Sequence, residues 1–393
     1  MIGSAPGRKI AVFTGTRAEY GLLRRLAANL AARPGVELSL IASGSHVSGS
    51  FGGTLWEIER DGYAPVLPVD IDLADNSPAG VGRSLGRALE SYSLVLNQLR
   101  PHLLVVLGDR YETVCAVLAA AVQRLPVAHL GGGATSQGAI DELFRHAVTK
   151  MSHLHFVSSE TSRRRVLQLG EDPAKVWLTG YLGLENIREL PVWPEALVRA
   201  DLGLPPGRPY LLLTFHPATV EDNSAEEQLR LILAALAPYP DLALIFTGAN
   251  ADAGGEAVNR ILQEQARTDE RLRFFMSLGV ERYINTARYA AGVAGNSSSG
   301  LVEVPALGVP VLDIGNRQRG RERLPAVRHC PATPEGLAQG LAGLLAPVQH
   351  RPAPQADLLR LNSSALIAER LVTHPLEGLL VKPFFLLTEK ASN

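Results

Sequence analysis

Polar and charged residues directly follow short apolar runs at six places in this chain, and they are the first candidates for chemistry. The six places are Gly15-Thr16-Arg17, Gly44-Ser45-His46, Gly108-Asp109-Arg110, His129, His216-Pro217 and residues 295–300. A charged side chain after a buried strand is exposed at the carboxyl edge of the sheet, where open α/β sheets bind ligands. One such residue is usually a cap or an ion-pair partner, whereas six in one chain indicate a functional site.

Side chains suited to proton transfer occur at Asp109, at His216 and in the segment 141–146. Burial and neighbouring charges can tune the basicity of a carboxylate in a closed site, which makes it a useful acid or base. Each of the two acids in the segment precedes a basic residue by four positions, as Asp141 precedes Arg145. That spacing also fits ordinary i,i+4 ion pairs on a helix surface, so a purely structural interpretation stays open.

Residues 295–300 (GNSSSG) precede a predicted helix at residues 301–307. Small residues let the backbone approach a phosphate, and a helix N-terminus supplies free N–H groups and partial positive charge. A serine-rich helix cap has the same composition, and the motif matches neither a Walker A sequence nor G-x-G-x-x-G. The candidate ligand-binding groups here are Asn296, Ser298, Ser299 and Gly300, together with Glu303 for sugar hydroxyls.

Residues 315–321 (GNRQRGR) place three arginines in a glycine-bounded loop after another apolar run. Guanidinium forks fit phosphate oxygens, so Arg321 and its two neighbours are candidates for an anion site. Arg17, in the first turn of the chain, is placed to reach the same anion from the other half. For any single arginine, a solvated surface position is the alternative.

Apolar runs and amphipathic stretches alternate along the chain, which predicts an α/β fold with parallel sheets covered on both faces. The predicted strands cover residues 9–14, 36–42, 103–107, 127–130, 210–215, 243–247, 292–294 and 309–314. Predicted helices lie at residues 18–32, 113–123, 225–236, 258–267 and 358–371. A proline-containing stretch at residues 190–194 divides the alternation into two halves and is interpreted as a linker.

Length and composition fit two ordinary globular domains, since the chain has 393 residues with 46% apolar and 20% charged. Its 38 Lys and Arg nearly balance 39 Asp and Glu, which disfavours nucleic acid or an anionic membrane as a partner. Cys115 and Cys330 form no C-x-x-C pair, so we expect neither a disulfide framework nor a metal site. Neither a signal peptide nor a long apolar stretch is evident, so we expect a cytoplasmic protein.

Five motifs, in chain order, resemble those of one known family. They are FTGTRAEYG at 13–21, LVVLGDRYE at 104–112, GAIDELFRHAVTKMSHLHF at 138–156, FHPAT at 215–219 and GNSSSGLVEVPALGVPVLDIGNRQRGR at 295–321. The chain in these segments resembles the hydrolysing UDP-N-acetylglucosamine 2-epimerases, a family that serves sialic and legionaminic acid biosynthesis. Because the motifs are spread from the first apolar run to the last, the resemblance covers most of the chain.

The predicted domains are residues 1–190 and 191–357, followed by a helix and tail at 358–393 that pack back on the first domain. The resemblance implies two Rossmann-like domains in a GT-B-like arrangement, with the active site in the interdomain cleft. It assigns catalysis and sugar binding to the first domain and UDP binding to the second. It also implies a reaction without metal or cofactor, and assembly as a homodimer or homotetramer.

The implied substrate is a UDP-2-acetamido sugar, either UDP-N-acetylglucosamine or UDP-N,N'-diacetylbacillosamine. UDP leaves from C1 as the C2 proton is removed, and water adds to the resulting 2-acetamidoglucal to release a 2-epimerised sugar. By position, the UDP-binding groups of the family match Arg17, His216, Ser298, Ser299 and Arg321, with Glu303 on the ribose. Its catalytic carboxylates match Asp109 and Asp141, and Arg145 lies in the same motif.

The loop after His129 departs from the family pattern. The family usually carries a glutamate there, in patterns such as H-x-E-G-G-E or H-x-x-G-G-E. This chain has Gly131-Gly132-Gly133-Ala134, and no carboxylate occurs between His129 and Ile140. If epimerisation is retained, another group has to take over this proton transfer, and the candidates are Asp141, Glu142 and His46.

Two other functions stay open on the same scaffold. One is a sugar-nucleotide hydrolase without inversion, or a glycosyltransferase, which releases UDP without exchange at C2 or only when an acceptor is present. The other is a non-catalytic UDP-sugar-binding protein, which its ligand stabilises thermally without turnover.

Overall fold

The structure is a computed structural model that describes residues 7–48, 53–63, 66–75, 77–137, 140–217, 225–249, 254–346 and 353–386. The chain forms two compact units. Unit 1 comprises Met1–Ala134, Asp141–Leu182 and Asn362–Asn393, and unit 2 comprises Thr135–Ile140 and Gly183–Leu361. The units thus change after Leu182 and Leu361, whereas the sequence placed boundaries after residues 190 and 357. The roles assigned to the two domains stay predictions.

Unit 1 is built on a seven-stranded sheet. Its strands are β1 (Arg8–Thr14), β2 (Val36–Ser43), β3 (Val66–Val69), β4 (Leu103–Leu107), β5 (Val127–Leu130), β6 (Leu154–Val157) and β7 (Val176–Leu178). They lie in the order β3-β2-β1-β4-β5-β6-β7, and all neighbours are parallel. This is a Rossmann-type order extended by one strand, and it reverses between β1 and β4.

Helices cover both faces of this sheet. They are α1 (Arg17–Ala31), α2 (Leu55–Arg60), α3 (Pro78–Leu99), α4 (Tyr111–Val122), α5 (Asp141–Met151) and α6 (Glu160–Gln168). All five residues of β4 (LLVVL) are buried, as expected for a strand that is covered on both sides. Ile10 and Val12 of β1 pack in one cluster with α1, whereas Ala11 and Phe13 pack in another with α3 and α4.

Unit 2 contains a second parallel sheet, of six strands. They are β8 (Tyr210–Thr214), β9 (Ala243–Thr247), β10 (Leu272–Phe275), β11 (Gly292–Gly295), β12 (Val311–Ile314) and β13 (Val327–Cys330). Their order, β10-β9-β8-β11-β12-β13, repeats the order of the first six strands of unit 1. The helices are α7 (Gly183–Glu189), α8 (Glu195–Asp201), α9 (Ala225–Leu236), α10 (Gly255–Thr268), α11 (Gly279–Tyr289), α12 (Glu303–Ala306), α13 (Pro334–Leu345) and α14 (Ala356–Leu359). The predicted α/β class with two Rossmann-like sheets is confirmed.

The last helix, α15 (Ser363–Thr373), belongs to unit 1 and packs on α1. Asn29 Nδ2 donates to Ser364 Oγ at 2.7 Å, and Arg8 Nη1 donates to the Leu371 carbonyl oxygen at 2.6 Å. The continuous helix predicted at residues 358–371 is wrong, because α14 ends at Leu359 and α15 begins only at Ser363.

The helix predicted at residues 301–307 is also wrong in extent. The chain forms a 3-10 turn at Ser298–Gly300 and then the four-residue α12. Pro305 has no N–H for the Leu301 carbonyl, which excludes a helix that starts at residue 301, and Gly308 ends α12 with φ +75°. So short a helix has little dipole, and the anion site at residues 295–300 stays a prediction that rests on its small and hydroxyl-bearing residues.

The linker predicted at residues 190–194 lies inside unit 2 instead. The Trp193 N–H donates to Asn285 Oδ1 at 2.9 Å, and Trp193 Nε1 donates to Glu281 Oε1 at 2.8 Å. Both acceptors lie on α11, so the tryptophan anchors this stretch to the unit. Among the described residues, no helix has both the length and the apolar character that crossing a bilayer requires.

Candidate active site

Asp109 follows β4 and pairs with Arg145 of α5. The two side chains are 17% and 5% exposed and form an ion pair between Asp109 Oδ2 and Arg145 Nη2. Arg145 Nη1 also donates to the Gly131 carbonyl oxygen at 3.4 Å. An i,i+4 contact occurs between His146 Nε2 and Glu142 Oε1 at 3.2 Å, whereas Arg145 reaches across to Asp109. A carboxylate held by a guanidinium at the carboxyl edge of a sheet is oriented for proton transfer.

His129 joins the two elements that carry this pair. Its Nε2 lies 2.8 Å from the Gly108 carbonyl oxygen, and its Nδ1 lies 3.1 Å from Thr149 Oγ1. Burial lowers the pKa of His129 to about 3, so the ring is neutral near pH 7. A neutral ring that faces a carbonyl oxygen carries its hydrogen on Nε2, so Nδ1 is an acceptor that faces the Thr149 hydroxyl, which also donates to the Arg145 carbonyl oxygen at 3.0 Å. His129 thereby fixes the turn before Asp109 to the helix that carries Arg145.

Two buried carboxylates support the turn between β1 and α1. Glu19 Oε2 accepts from the N–H groups of Gly15 at 2.7 Å and Thr16 at 3.3 Å, which completes a capping box. Glu112 accepts from Arg110 Nε at 3.1 Å. Burial raises the pKa of Glu19 to about 7, with Arg110 opposing the rise and Glu112 adding to it. The T-x-x-E spacing at residues 16–19 is a signal by which Glu19 could have been found in the sequence.

Arg17 and His46 are close enough that the charge of Arg17 opposes protonation of the His46 ring. His46 Nε2 lies 3.0 Å from Thr14 Oγ1, and its Nδ1 lies 2.8 Å from Thr54 Oγ1. Burial is the main cause that lowers the pKa of His46 to about 4, and Arg17 contributes. Burial also lowers the pKa of Arg17, against the effect of Glu57. A neutral imidazole with both nitrogens engaged can orient the end of β2, but it carries no charge near pH 7.

The glycine-rich loop at residues 131–134 is held by its backbone. The Gly131 N–H donates to the Phe156 carbonyl oxygen at 2.9 Å, and Arg165 Nη1 donates to the Gly133 carbonyl oxygen at 3.2 Å. Ala134 is half-buried. Since the loop has no carboxylate, the nearest acids in sequence are those that begin α5, of which Asp141 is the first residue.

In unit 2, Asn296 clamps the backbone of His216. Its Oδ1 accepts from the His216 N–H, and its Nδ2 donates to the His216 carbonyl oxygen, both at 2.7 Å. The Asn296 carbonyl oxygen accepts from Arg317 Nη1 at 3.1 Å and Gln318 Nε2 at 2.7 Å. Asn296, only 2% exposed, therefore ties together the segments that follow β8, β11 and β12. Its predicted contact with substrate stays a prediction.

Arg321 and Glu303 interact within the same unit. Arg321 Nε donates to the Thr135 carbonyl oxygen at 3.0 Å, and its Nη2 donates to Ser136 Oγ at 2.7 Å. Burial raises the pKa of Glu303, and the charge of Arg321 opposes that rise. The 3-10 turn Ser298–Gly300 supplies the remaining predicted groups, and Ser299 contacts Tyr283, which no sequence motif indicated.

Within each unit, the structure therefore brings predicted site residues together in pairs. Asp109 lies with Arg145, Arg17 with His46, His216 with Asn296, and Glu303 with Arg321. Among the described residues, no group of three or more His, Cys, Asp or Glu is arranged to hold a metal ion. Both cysteines are buried and free.

Known proteins are similar to this chain in sequence and in fold. A family model described as UDP-N-acetylglucosamine 2-epimerase matches residues 28–371. Polysialic acid biosynthesis protein P7 of Escherichia coli is 35% identical over 335 residues, or 85% of each chain. The hydrolysing GDP/UDP-N,N'-diacetylbacillosamine 2-epimerase of Campylobacter jejuni is 35% identical over 317 residues, 80% of this chain and 82% of that one.

A crystal structure of Methanocaldococcus jannaschii UDP-GlcNAc 2-epimerase, in complex with UDP-GlcNAc and UDP, shares the fold. Its TM-score is 0.75 at 19% identity, with 93% of this chain and 99% of that chain covered. The family match over most of the chain, the two relatives and the shared fold agree. The chain belongs to the UDP-N-acetylglucosamine 2-epimerase family of enzymes.

Proposed function

We propose that this enzyme is a hydrolysing 2-epimerase of a UDP-2-acetamido sugar, either UDP-N,N'-diacetylbacillosamine or UDP-N-acetylglucosamine. Family membership and the name of the Campylobacter jejuni relative support the reaction. The observation that carries the proposal is the ion pair between Asp109, which directly follows β4 and is only 17% exposed, and the buried Arg145 of α5. A role in sialic or legionaminic acid biosynthesis, a cytoplasmic location and a homodimer or homotetramer belong to the same proposal.

The proposed reaction has two steps. In the first, a base takes the C2 proton, the C2–H electron pair forms the C1=C2 double bond, and UDP leaves C1 with the electrons of the C1–O bond. In the second step, water adds its oxygen to C1 of the 2-acetamidoglucal. C2 receives a proton on the face opposite to the one that lost a proton in the first step. The products are UDP and the manno-configured free sugar. The chemistry needs a base for a weakly acidic C–H bond and stabilisation of the departing diphosphate.

Unit 1 supplies the proposed proton-transfer groups, Asp109 and Asp141. Arg145 holds Asp109 in one orientation, and His129 fixes the preceding turn to α5. His46 is held as a neutral imidazole, which suits it to orienting substrate or water more than to exchanging a proton.

Most of the proposed UDP-binding groups belong to unit 2, and Arg17 is proposed as a further cation for the diphosphate. Arg321, Ser298, Ser299 and Gly300 are proposed for the diphosphate, and Glu303 for the ribose. Glu303 is half-buried, and a carboxylate at its position can accept hydrogen bonds from ribose hydroxyls. His216 is proposed as a further contact to UDP, because Asn296 fixes its backbone at the end of β8.

A second function is favoured by Ala134, which occupies the place of the family glutamate. Without that carboxylate, one proton-transfer step of epimerisation depends on another group. The second candidate is therefore a UDP-sugar hydrolase or glycosyltransferase, or a non-catalytic UDP-sugar-binding protein, on the same fold.

A time course in D₂O, followed by NMR, separates these functions. The two sugar nucleotides are incubated separately with the wild-type chain and with Asp109→Asn, which serves as the inactive control. We expect the wild type to release UDP together with a manno-configured sugar that carries deuterium at C2. The faster of the two reactions identifies the sugar substituents that the enzyme accepts.

Each other outcome points to a different function. Release of UDP without deuterium at C2 would contradict epimerisation and support simple hydrolysis. Release only after an acceptor is added would support a glycosyltransferase. Thermal stabilisation by UDP-sugar with no turnover would support a binding protein.

A further inference from the structure

Tyr283 lies on α11 and reaches the turn that carries the predicted diphosphate-binding serines. Its Oη lies 2.7 Å from Ser299 Oγ. Ser299 Oγ in turn lies 3.1 Å from Ser297 Oγ. Ser299 is therefore placed between two other hydroxyl groups, and Tyr283 is the one that belongs to a different secondary-structure element.

Behind Tyr283, the hydroxyl contacts continue into the sheet of unit 2. Tyr283 is hydrogen-bonded to the side chain of Thr214, and Thr214 Oγ1 lies 2.6 Å from Thr247 Oγ1. The two threonines are buried and end the neighbouring strands β8 and β9. The relay, by which we mean Thr247, Thr214, Tyr283 and Ser299, thus runs from the carboxyl edge of the sheet to the serine turn.

Counting hydrogens gives this relay a direction. Each hydroxyl has one hydrogen to donate and can accept in return. A phenol is the more acidic alcohol, so Tyr283 is favoured as the donor to Ser299, and Thr214 then donates to Tyr283. The three contacts consume the hydrogens of Thr247, Thr214 and Tyr283, so the Ser299 hydrogen is left for Ser297 Oγ, at 3.1 Å, or for a ligand. Donation into Ser299 also strengthens its own hydrogen bond, because such chains polarise one another.

We infer that Tyr283 is a positioning residue for diphosphate binding, which aims the Ser299 hydroxyl hydrogen at a phosphate oxygen. The inference rests on the proposed function, since it assumes that the serine turn binds UDP. Burial raises the pKa of Tyr283 to about 12, with a contribution from the negative charge of Glu303. The phenol is therefore protonated and able to donate throughout the neutral range.

The test measures UDP and uridine dissociation constants by titration for the wild type and three variants. Tyr283→Phe removes only the hydroxyl, Ser299→Ala removes its target, and the third variant combines both. Tyr289→Phe is the matched control, because Tyr289 lies on the same helix and its Oη donates elsewhere, to the Trp193 carbonyl oxygen at 2.7 Å. Thermal melting of each variant verifies that it is folded.

We expect Tyr283→Phe to weaken UDP binding about 3–10-fold, the range for one lost hydrogen bond, with uridine affinity changed less than about two-fold. Tyr289→Phe should leave both affinities unchanged. The double variant should bind UDP no more weakly than Ser299→Ala alone, since Tyr283 acts through Ser299. A purely structural role for Tyr283 would instead lower UDP and uridine affinity together.

Two results overturn the inference, and they are distinguishable from failure of the proposed function. If the wild type binds UDP and Tyr283→Phe binds it equally well, the relay has no part in recognition. If the effects of the two single variants add in full, Tyr283 does not act through Ser299. If the wild type fails to bind UDP at all, the proposed function is refuted and the inference with it.

Discussion

Replacing Glu171 with glutamine removes the carboxylate that joins the C-terminal tail to α5. Glu171 is 2% exposed and accepts from Lys150 Nζ at 2.6 Å, His155 Nε2 at 2.8 Å and Lys382 Nζ at 2.7 Å. Lys382 also donates to the Lys150 carbonyl oxygen at 2.7 Å and so caps the end of α5. The substitution therefore leaves two ammonium groups and an imidazole around an uncharged amide, next to the helix that carries Arg145.

The size of the expected loss follows from the pKa of Glu171. Burial opposes ionisation, but hydrogen bonds from His155, Lys150 and Lys382 lower this pKa from 4.5 to about 2. A group with a lowered folded-state pKa stabilises the protein above its unfolded pKa and loses that effect as the pH falls through the folded one. The lowered pKa of Glu171 contributes roughly 3 kcal/mol to the free energy of unfolding at pH 7 and roughly 2 kcal/mol at pH 3.5. Breaking a buried pair by removing one partner costs about 3–5 kcal/mol, the same range.

Urea unfolding of the wild type and Glu171→Gln at pH 7 and pH 3.5 measures this loss. The matched control is Glu160→Gln, since Glu160 is 57% exposed and lies 3.4 Å from Arg163, a pair whose removal should change stability by less than about 0.5 kcal/mol. A loss below about 1 kcal/mol for Glu171→Gln at pH 7 would refute the reasoning. So would a loss at pH 3.5 that equals the loss at pH 7.

Three further substitutions test the site directly. Asp109→Asn should lower turnover at least about 100-fold with UDP affinity unchanged, and full turnover would remove Asp109 from the mechanism. Arg321→Ala should weaken UDP binding about 10-fold or more by titration calorimetry, and unchanged affinity would contradict its assignment. Gly133→Ala should lower the melting temperature by several degrees, because a Cβ at φ +74° would lie 2.2 Å from the Ser162 carbonyl oxygen. An unchanged melting temperature would show that the loop relaxes freely.

Local sequence patterns account for eight of the thirteen described strands and for part of the helices, whereas β3, β6, β7, β10 and β13 were not predicted. The strands at residues 103–107 and 243–247 are found with the predicted bounds. Runs of five apolar or β-branched residues are typical of strands in a parallel sheet that is covered on both faces. The helix predicted at residues 301–307 failed because apolar character was weighed without Pro305 and Gly308, which set its start and its end. The backbone chemistry of these two residues, and not the apolar composition of the segment, determined the extent of the helix.

Local sequence patterns could not predict the contacts between residues that lie far apart in the sequence. The i,i+4 spacing left open whether Arg145 pairs within its own helix, and the structure shows that it pairs instead with Asp109, which follows β4. Tyr283 lies in the middle of an amphipathic helix, where an aromatic residue ordinarily packs in the core. Its hydroxyl contacts Ser299 because α11 lies beside the serine turn. Both contacts depend on how elements pack, which a single sequence does not encode locally.

The resemblance to the family implies a glutamate in the loop after β5, at residue 134 and in one pattern also at residue 131, and at Ala134 packing does not explain its absence. A Cβ at Gly132 would lie 2.9 Å from Thr149 Oγ1, and one at Gly133 would lie 2.2 Å from the Ser162 carbonyl oxygen, so these glycines are fixed by close approach of α5 and α6. Ala134 already carries a Cβ and is half-buried, so the backbone there accepts a side chain. The missing carboxylate is therefore a chemical difference. If the enzyme epimerises its substrate, another group has to provide the second proton transfer, and Asp141 and Glu142 at the start of α5 and His46 are the candidates.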